Sequence, residues 1–288
     1  MRLDLLPKSH DHRQELREGK RFAFGDNWTR FLDHLDEDRI VAAQFTLTEM
    51  LDCKSLVGQR FLDAGSGSGL FSLAARRLGA EVFSFDYDPQ SVACTNELRN
   101  RFAPDDALWT VQEGSVLDHD FLSDLGQADI VYSWGVLHHT GEMQEALENI
   151  SHLVKDGGKL FIAIYNDQGS RSKHWLRLKQ AYNRLPASLR WLVLWPTTLR
   201  LWGPTTLRDF GRGHPFETWR NYAKTSRAMS PWRDVVDWVG GLPFEVAKPE
   251  DIFQIYRDRG FNLLQLKTCA GGHGCNEFVF QKMIGSEP

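Results

Sequence analysis

The stretch FLDAGSGSGL, from Phe61 to Leu70, decides the fold of this chain. Its first four residues are typical of a short buried strand, and the segment LFSLAARRL that follows the glycines is typical of a helix. The turn between them consists of small residues, which are Gly65, Ser66, Gly67, Ser68 and Gly69. Glycines let a ligand approach the backbone, and the helix points its free N–H groups at the turn. This pattern predicts a nucleotide-type ligand site, although a tight turn that binds nothing can look the same.

Asp63 and Leu70 indicate which ligand the turn favours. A dinucleotide-binding turn carries a third glycine where this chain has Leu70. The carboxylate of Asp63, just before the turn, would repel a pyrophosphate but attract the ammonium and sulfonium groups of S-adenosylmethionine. The turn therefore favours this methyl donor over NAD.

A second strand is predicted in GAEVFSFDYD, residues 79–88. It ends in acids roughly twenty residues after the glycines, the spacing at which a carboxylate lies beside a ribose. Asp86 is predicted to accept hydrogen bonds from the ribose hydroxyls, and Tyr87 to stack on adenine. Asp86 could instead cap a helix or a turn.

Strand and helix patterns alternate through the next part of the chain. Strands are predicted at 110–118, 128–140 and 159–167, and a helix at 142–158 that stops at glycines. Such alternation predicts an α/β fold with a doubly wound parallel sheet.

These residues resemble the class I S-adenosylmethionine-dependent methyltransferases, and more closely the small-molecule branch similar to ubiquinone-biosynthesis O-methyltransferases. The resemblance covers residues 59–166 and returns in PEDIFQIYRDRGF, NLLQLKTC and NEFVFQKM, a last helix and two closing strands. It implies a Rossmann-like, doubly wound seven-stranded sheet with the last strand antiparallel. N-terminal helices precede this sheet, and a helical insertion follows strand five. The resemblance also implies S-adenosylmethionine as donor and S-adenosylhomocysteine as product.

The resemblance implies donor-binding residues at the ends of four strands. They are Asp63, Gly65, Ser66, Gly67 and Gly69 around the methionyl part, Asp86 and Tyr87 at the ribose and adenine, Ser115 and Val116 at adenine, and Ser133 and Trp134 where donor and acceptor meet. Ser115 stands where the family often has an acid.

Two histidines follow the fourth strand, at the sheet edge where ligands bind in this architecture. A histidine can take a proton from an alcohol or catechol oxygen. Because adjacent residues tend to point in opposite directions, only one of His138 and His139 is expected to face the pocket, and His139 is favoured. Both could instead orient loops or cap a helix. Tyr165 and Asn166, which end strand five, and Trp28 in the N-terminal lid are predicted to contact the acceptor.

Residues 166–248 stand out by composition. They hold seven of the ten tryptophans, and 14 Lys and Arg against 6 Asp and Glu, a net charge of +8 in a chain whose total is −4. Three interpretations stay open: a helical cap packed on the core, a pocket for an anionic or aromatic acceptor, and a membrane-surface element at 189–202, where Trp, Leu and Arg mix. Nucleic acid is disfavoured because the arginines are dispersed and the pI is near 6.2.

Length and composition favour one domain with additions over two independent domains. The predicted parts are a leader and helical lid at 1–58, a cofactor-binding core at 59–165, the insertion as a substrate cap at 166–248, and completion of the core at 249–288. No signal peptide or membrane-spanning run is predicted, and scattered cysteines favour the cytoplasm. No metal is expected, because Cys269, His273 and Cys275 share one tight turn that suits zinc poorly.

The favoured hypothesis is therefore an enzyme that methylates a small molecule, foremost at oxygen. N- or C-methylation of a small molecule, or of a lipid- or quinone-like acceptor at a membrane surface, is the alternative. Methyltransferases acting on nucleobase or glutamine amines usually carry an Asn/Asp-Pro-Pro-aromatic element where this chain has SWGVLHHT. Methylation of DNA or of glutamine is therefore disfavoured. A hypothesis of another class is a non-catalytic, donor-binding scaffold that docks a partner through the insertion.

Overall fold

A computed structural model of the protein describes residues 12–32, 35–225 and 231–285. Within these ranges, three helices precede the first strand: α1 His12–Arg17, α2 Gly25–Leu32 and α3 Glu37–Leu51. They agree with the predicted N-terminal helices, and their role as a lid stays a prediction. The part of the predicted leader before residue 12 lies outside the described residues.

The described residues form one seven-stranded sheet. Its strands are β1 Arg60–Ala64, β2 Glu81–Asp86, β3 Trp109–Glu113, β4 Ala128–Trp134, β5 Val154–Tyr165, β6 Phe261–Lys267 and β7 Cys275–Lys282. The spatial order is β3-β2-β1-β4-β5-β7-β6, with β1 to β5 parallel and β7 antiparallel to both β5 and β6. The predicted fold is confirmed. The strand order reverses between β1 and β4, so the ligand crevice is expected at the carboxyl ends of these strands.

Helices cover both faces of the sheet. The crossovers between parallel strands are α4 Leu70–Arg77, α5 Pro89–Phe102, α6 His119–Leu125 and α7 Met143–His152, and α12 Pro249–Arg257 leads into β6. Successive residues of β1 serve opposite faces: Phe61 packs with Leu73 and Trp109, and Leu62 with Leu147. Burial of each such side chain contributes about 1.5–3 kcal/mol.

The boundary between α7 and β5 differs from the prediction. The helical pattern continues to Gly158, but α7 ends at His152 and β5 already begins at Val154. Ala128 of β4 pairs with Val154, and its backbone N–H donates to the carbonyl oxygen of Leu153 at 2.8 Å. The neighbouring strand thus binds backbone groups that local periodicity assigns to a helix.

The described part of the insertion forms four α-helices, α8 Ser170–Arg184, α9 Trp191–Gly211, α10 Glu217–Thr225 and α11 Pro231–Gly240. It leaves and rejoins the core at one point, because Asn166 pairs with Ala247 and the N–H of Ala247 donates to the oxygen of Tyr165 at 3.0 Å. Tyr182, Leu194 and Val239 unite α8, α9 and α11 in a small core of their own. Among the described residues, no helix is both long and apolar enough to cross a membrane.

Candidate active site

The glycine turn after β1 has the geometry of a ligand cradle. Gly65 and Gly67 adopt positive φ of 91° and 55°, which favours glycine. An ideal Cβ on Gly65 would lie 2.4 Å from the Val136 side chain, and one on Gly67 would lie 3.1 Å from the Trp28 indole. The N–H of Gly65 donates to the oxygen of Phe85 at 2.8 Å and anchors the turn on β2. Val136 and Trp28 thus lie where a Cβ would be, so packing against these side chains already requires glycine at both positions, and contact between the turn and a ligand stays a prediction.

Asp63 lies beneath the turn rather than on its surface. The side chain is fully buried, and its carboxyl accepts a hydrogen bond from the Ser72 hydroxyl at 2.5 Å. The Ser72 and Ser84 hydroxyls lie 2.6 Å apart, and the indole N–H of Trp109 donates to Ser84 at 2.9 Å. Burial raises the pKa of Asp63 to about 7, against the opposing effect of the Ser72 hydrogen bond. This network joins β1, α4, β2 and β3, and a contact between Asp63 and the donor stays a prediction.

Asp86 ties the end of β2 to the turn. Its two carboxylate oxygens accept hydrogen bonds from the N–H groups of Gly67 and Asp88, both at 2.9 Å. Burial raises the pKa of Asp86 to about 6, and these two backbone hydrogen bonds oppose the rise. Each carboxylate oxygen has a second lone pair, which leaves capacity for ribose hydroxyls.

The N-terminal segment closes over the donor side of the sheet. The N–H of Gly25 donates to Asp88 at 2.9 Å, and the Trp28 indole lies on the glycine turn. The Arg21 guanidinium lies 4.8 Å from the centre of the Tyr87 ring and also donates to the backbone oxygen of His139 at 2.9 Å. The Tyr87 ring therefore packs against Arg21. Sequence reasoning missed Arg21, because a lone arginine in a charged leader carries no signal.

The other predicted donor residues have local roles in the fold. The Ser115 hydroxyl accepts from the N–H of Leu117 at 3.1 Å, and the buried Val116 accepts from the Asn149 amide at 2.9 Å. The Ser133 hydroxyl is buried and donates to the oxygen of Ala64 at 2.8 Å. Gly69 caps α4, the Ser66 hydroxyl lies 2.9 Å from that of Thr95, and Trp134 packs on the core. Their contacts with a donor remain predictions.

His138 and His139 lie side by side, not on opposite sides as adjacent strand residues would. They belong to a 3-10 turn, Leu137–His139, and their ring centres are 4.5 Å apart. Both rings also contact Tyr165 at the end of β5, with centre distances of 3.8 Å and 5.2 Å. The predicted end of strand four is therefore a turn, and it brings both histidines to the same cluster.

The hydrogen bonds assign the proton positions on the two rings. Nδ1 of His139 lies 2.6 Å from the carbonyl oxygen of Pro243, which can only accept, so Nδ1 donates and Nε2 carries the lone pair. Burial lowers the pKa of His139 to about 3, so the ring is neutral at physiological pH. Nδ1 of His138 accepts from the N–H of Tyr165 at 3.3 Å, and burial lowers its pKa well below the usual value. Its buried Nε2–H has no hydrogen-bond partner among the described residues.

A buried lysine completes this cluster. Lys179 of α8 donates to the backbone oxygen of Trp238, and its Nζ lies 4.7 Å from the Trp238 ring centre and 4.5 Å from that of Phe244. Burial lowers the pKa of Lys179 to about 7, and the charge of Asp237 opposes this. A sequence signal existed, because Lys179 shares a helical stripe with Trp175 and Tyr182, both of them buried.

The predicted acceptor residue Asn166 and the two cysteines considered as metal ligands lie at the β6–β7 hairpin. The side chain of Asn166 donates to the oxygen of Gly272 at 3.2 Å and accepts from Asn276 at 3.1 Å, so its observed contacts are structural. Cys269 and Cys275 are not joined in a disulfide bond. Within the described ranges, no three His, Cys, Asp or Glu side chains cluster closely enough to hold a metal ion.

Comparison with known proteins identifies the family. The profile of a family described as a methyltransferase domain matches residues 17–219, more than half of the chain. The chain belongs to this methyltransferase family. The region matched in this methyltransferase contains the glycine turn, His138, His139 and Lys179.

Curated relatives match less than half of the methyltransferase. A ribosomal protein L11 methyltransferase of Photobacterium profundum is 38% identical over 116 residues, which cover 40% of this chain and 36% of that protein. A ubiquinone biosynthesis O-methyltransferase of Escherichia coli is 31% identical over 123 residues, covering 42% of this chain and 48% of that protein. The alignments thus span less than half of each relative.

Solved structures share the fold over nearly the whole chain. Magnesium protoporphyrin IX methyltransferase from Synechocystis, solved with bound S-adenosylmethionine, has a TM-score of 0.54 and 13% identity, covering 96% of this chain and 100% of that one. The same enzyme with bound S-adenosylhomocysteine has a TM-score of 0.52 and 16% identity, covering 94% and 99%. At such identity the likeness shows the fold alone. Together with the family match, the shared fold confirms the resemblance to the class I S-adenosylmethionine-dependent methyltransferases.

Proposed function

We propose that this methyltransferase methylates an oxygen atom of a small-molecule acceptor. The observation that carries the proposal is the neutral imidazole of His139 at the carboxyl edge of the sheet. The hydrogen bond to Pro243 holds the ring with Nε2 as the proton-accepting nitrogen. An oxygen nucleophile benefits from such a proton acceptor.

On this proposal, the glycine turn and Asp86 bind the donor, and Trp28 covers it. When bound, S-adenosylmethionine supplies an electrophilic methyl group on a sulfonium. The protein then aligns donor and acceptor, and alignment alone can contribute roughly 7–11 kcal/mol. Arg21 links the two halves of the site, because it contacts Tyr87 on the donor side and the backbone of His139 on the acceptor side.

The acceptor is proposed to lie beside Tyr165, Trp238 and Phe244, whose rings surround the amino group of Lys179. These rings exclude water and offer flat apolar contacts to an aromatic or quinone-like molecule. The unpaired Nε2–H of His138 offers a hydrogen bond to an acceptor oxygen. Nε2 of His139 takes the proton of the hydroxyl that becomes methylated. This lining supports a small-molecule acceptor, although one curated relative is named for a ribosomal protein.

His139→Asn tests the role of this imidazole. The asparagine amide can replace the Nδ1–H donor to Pro243, whereas the proton acceptor at Nε2 is lost. With radiolabelled S-adenosylmethionine and a fractionated metabolite extract as acceptor source, we expect turnover to fall by about 10²- to 10⁴-fold. Donor affinity measured by calorimetry should stay within about threefold, since His139 is not proposed to contact the donor.

The exposed His119 provides a matched control, because His119→Asn makes the same chemical change at a side chain that contacts Glu145 and not His138, Tyr165 or Pro243. It should retain full turnover. Full turnover of His139→Asn would reject the proposed base. If native protein binds the donor but transfers no label to any fraction, the scaffold hypothesis replaces the enzymatic one.

A further inference from the structure

Helix α9 carries a continuous exposed apolar surface, which we call the α9 outer face. It consists of Leu192, Trp195, Leu199, Leu207 and Phe210. Trp195 is 62% exposed, Leu199 73% and Leu207 74%. Along the sequence, successive members of this set are separated by three, four, eight and three positions, and this spacing places their side chains on one side of a helix. Large apolar side chains gathered this way on a surface indicate an interaction site.

The opposite side of α9 is anchored in the insertion, so the outer face points away from the protein. Leu194 is buried and packs with Val235 and Val239 of α11. Near the other end, the buried carboxylate of Asp209 accepts hydrogen bonds from the N–H and hydroxyl of Thr218, both at 2.8 Å. The helix therefore cannot turn its apolar side inward without losing these contacts.

The charges around the α9 outer face are almost entirely positive. Arg200 and Arg208 directly follow the exposed Leu199 and Leu207, and Arg212 caps the helix. Between Asp167 and Glu217 the chain contains a single acidic residue, Asp209, which is buried. Along α9 itself the exposed apolar side chains therefore lie beside arginines, and the exposed acid nearest to them in the chain is Glu217, next to Phe216, whose ring centre lies 5.3 Å from that of Phe210.

We propose that the α9 outer face lies on a membrane surface that contains anionic lipids. Tryptophan and leucine side chains enter the headgroup region, and neighbouring arginines pair with lipid phosphates. A second copy of the chain fits less well, because the same face would bring like charges together. The inner side of this insertion carries Lys179 and Trp238. With His138, His139, Tyr165 and Phe244 they form the cluster beside which the acceptor is proposed to lie, here called the acceptor cluster. A protein docked on the membrane therefore holds the acceptor cluster close to lipid-soluble molecules.

This inference does not depend on the proposed methyl transfer, and flotation of the full chain with vesicles tests it without any acceptor. We expect flotation with vesicles of phosphatidylcholine and phosphatidylglycerol in a two-to-one ratio, and at least tenfold less with phosphatidylcholine alone. The double variant Trp195→Ser/Leu199→Ser should lose tenfold or more of the bound fraction. Arg200→Gln/Arg208→Gln should lose a similar amount on the anionic vesicles, and added salt should reproduce its effect.

Phe45→Ser is the matched control, because Phe45 is 64% exposed on α3, outside the insertion. It should float like the native chain. Calorimetry with S-adenosylmethionine reports whether each variant is folded, and the arginine variant changes surface residues alone. Absence of native flotation, or flotation of both double variants equal to that of the native chain, overturns the proposal. Ultracentrifugation without vesicles identifies the alternative: a dimer abolished by Trp195→Ser/Leu199→Ser, together with no flotation, would make this face a contact between copies.

Discussion

Buried ionisable side chains dominate the site at the scale of single residues. Burial raises the pKa of Asp63 to about 7 and of Asp86 to about 6, and it lowers that of Lys179 to about 7 and of His139 to about 3. In each case loss of water, rather than a neighbouring charge, is the largest cause. The site therefore favours the neutral form of His139 near physiological pH, and the same loss of water makes its imidazole a weaker base than an exposed histidine.

Asp63→Asn should change how stability depends on pH. The folded pKa of Asp63 lies above its unfolded value of 3.8, so its stabilising effect is complete below about pH 4 and is lost as the pH rises towards 7. Asparagine does not titrate. The unfolding free energy of the variant minus that of the native chain should thus increase by on the order of 2–4 kcal/mol between pH 4 and pH 8.

Urea unfolding at several pH values measures this effect. Asp106→Asn is a control of opposite sign. Burial tends to raise the Asp106 pKa, but hydrogen bonds from Leu108 and Arg76 outweigh it and the pKa is lowered. Asp106 therefore stabilises the fold above its unfolded pKa and loses this effect as the pH falls. A stability difference between the native chain and Asp63→Asn that stays constant with pH would contradict the burial argument.

At the scale of elements, α2 links the N-terminal segment to the donor turn. It places the Trp28 indole against Gly67, while the adjoining Gly25 N–H bonds to Asp88 after β2. Periodicity predicted the N-terminal helices, but only packing shows which side chain reaches the turn. The misplaced end of α7 has the same origin, because pairing with β4 overrides the local pattern at Leu153 and Val154.

Trp28→Ala should weaken binding of S-adenosylmethionine by about tenfold, which corresponds to roughly 1.4 kcal/mol. The reason is that alanine leaves the turn, and any donor in it, open to water. Calorimetry measures the affinity. Trp191→Ala removes an exposed indole on α9 and should bind the donor like the native chain. Unchanged or tighter binding by Trp28→Ala would mean that this indole does not cover the donor.

At the scale of the whole molecule, the sheet and the insertion differ in charge and meet at the acceptor cluster. The insertion carries +8 and the rest of the chain −12. Tyr165 ends strand β5 and His138 lies in the turn after β4, whereas Lys179 and Trp238 come from the insertion. Two parts of opposite net charge thus contribute side chains to one buried cluster. The domain boundaries assigned from sequence remain predictions.

Donor binding should stabilise the whole molecule. At a free concentration one hundred times the Kd, S-adenosylmethionine adds about 2.7 kcal/mol to the unfolding free energy. For a chain of this size, thermal unfolding should shift upward by roughly 5–10 °C. Scanning calorimetry tests this, with NAD at the same concentration as control, because the turn lacks the third glycine of a dinucleotide site. An equal shift with NAD would contradict the ligand preference inferred from Asp63 and Leu70.

The strand, the glycine turn and the alternating fold class follow from the amino-acid sequence, because each depends on residues close together in the chain and on backbone geometry that glycine permits. The acceptor cluster does not follow from it. The hydrogen bond of His139 to Pro243 joins residues 104 positions apart, and that of Arg21 to His139 joins residues 118 apart. The proton positions on the histidines and the burial of Lys179 depend on such contacts. Only folding brings these groups together and removes the water that sets their pKa values.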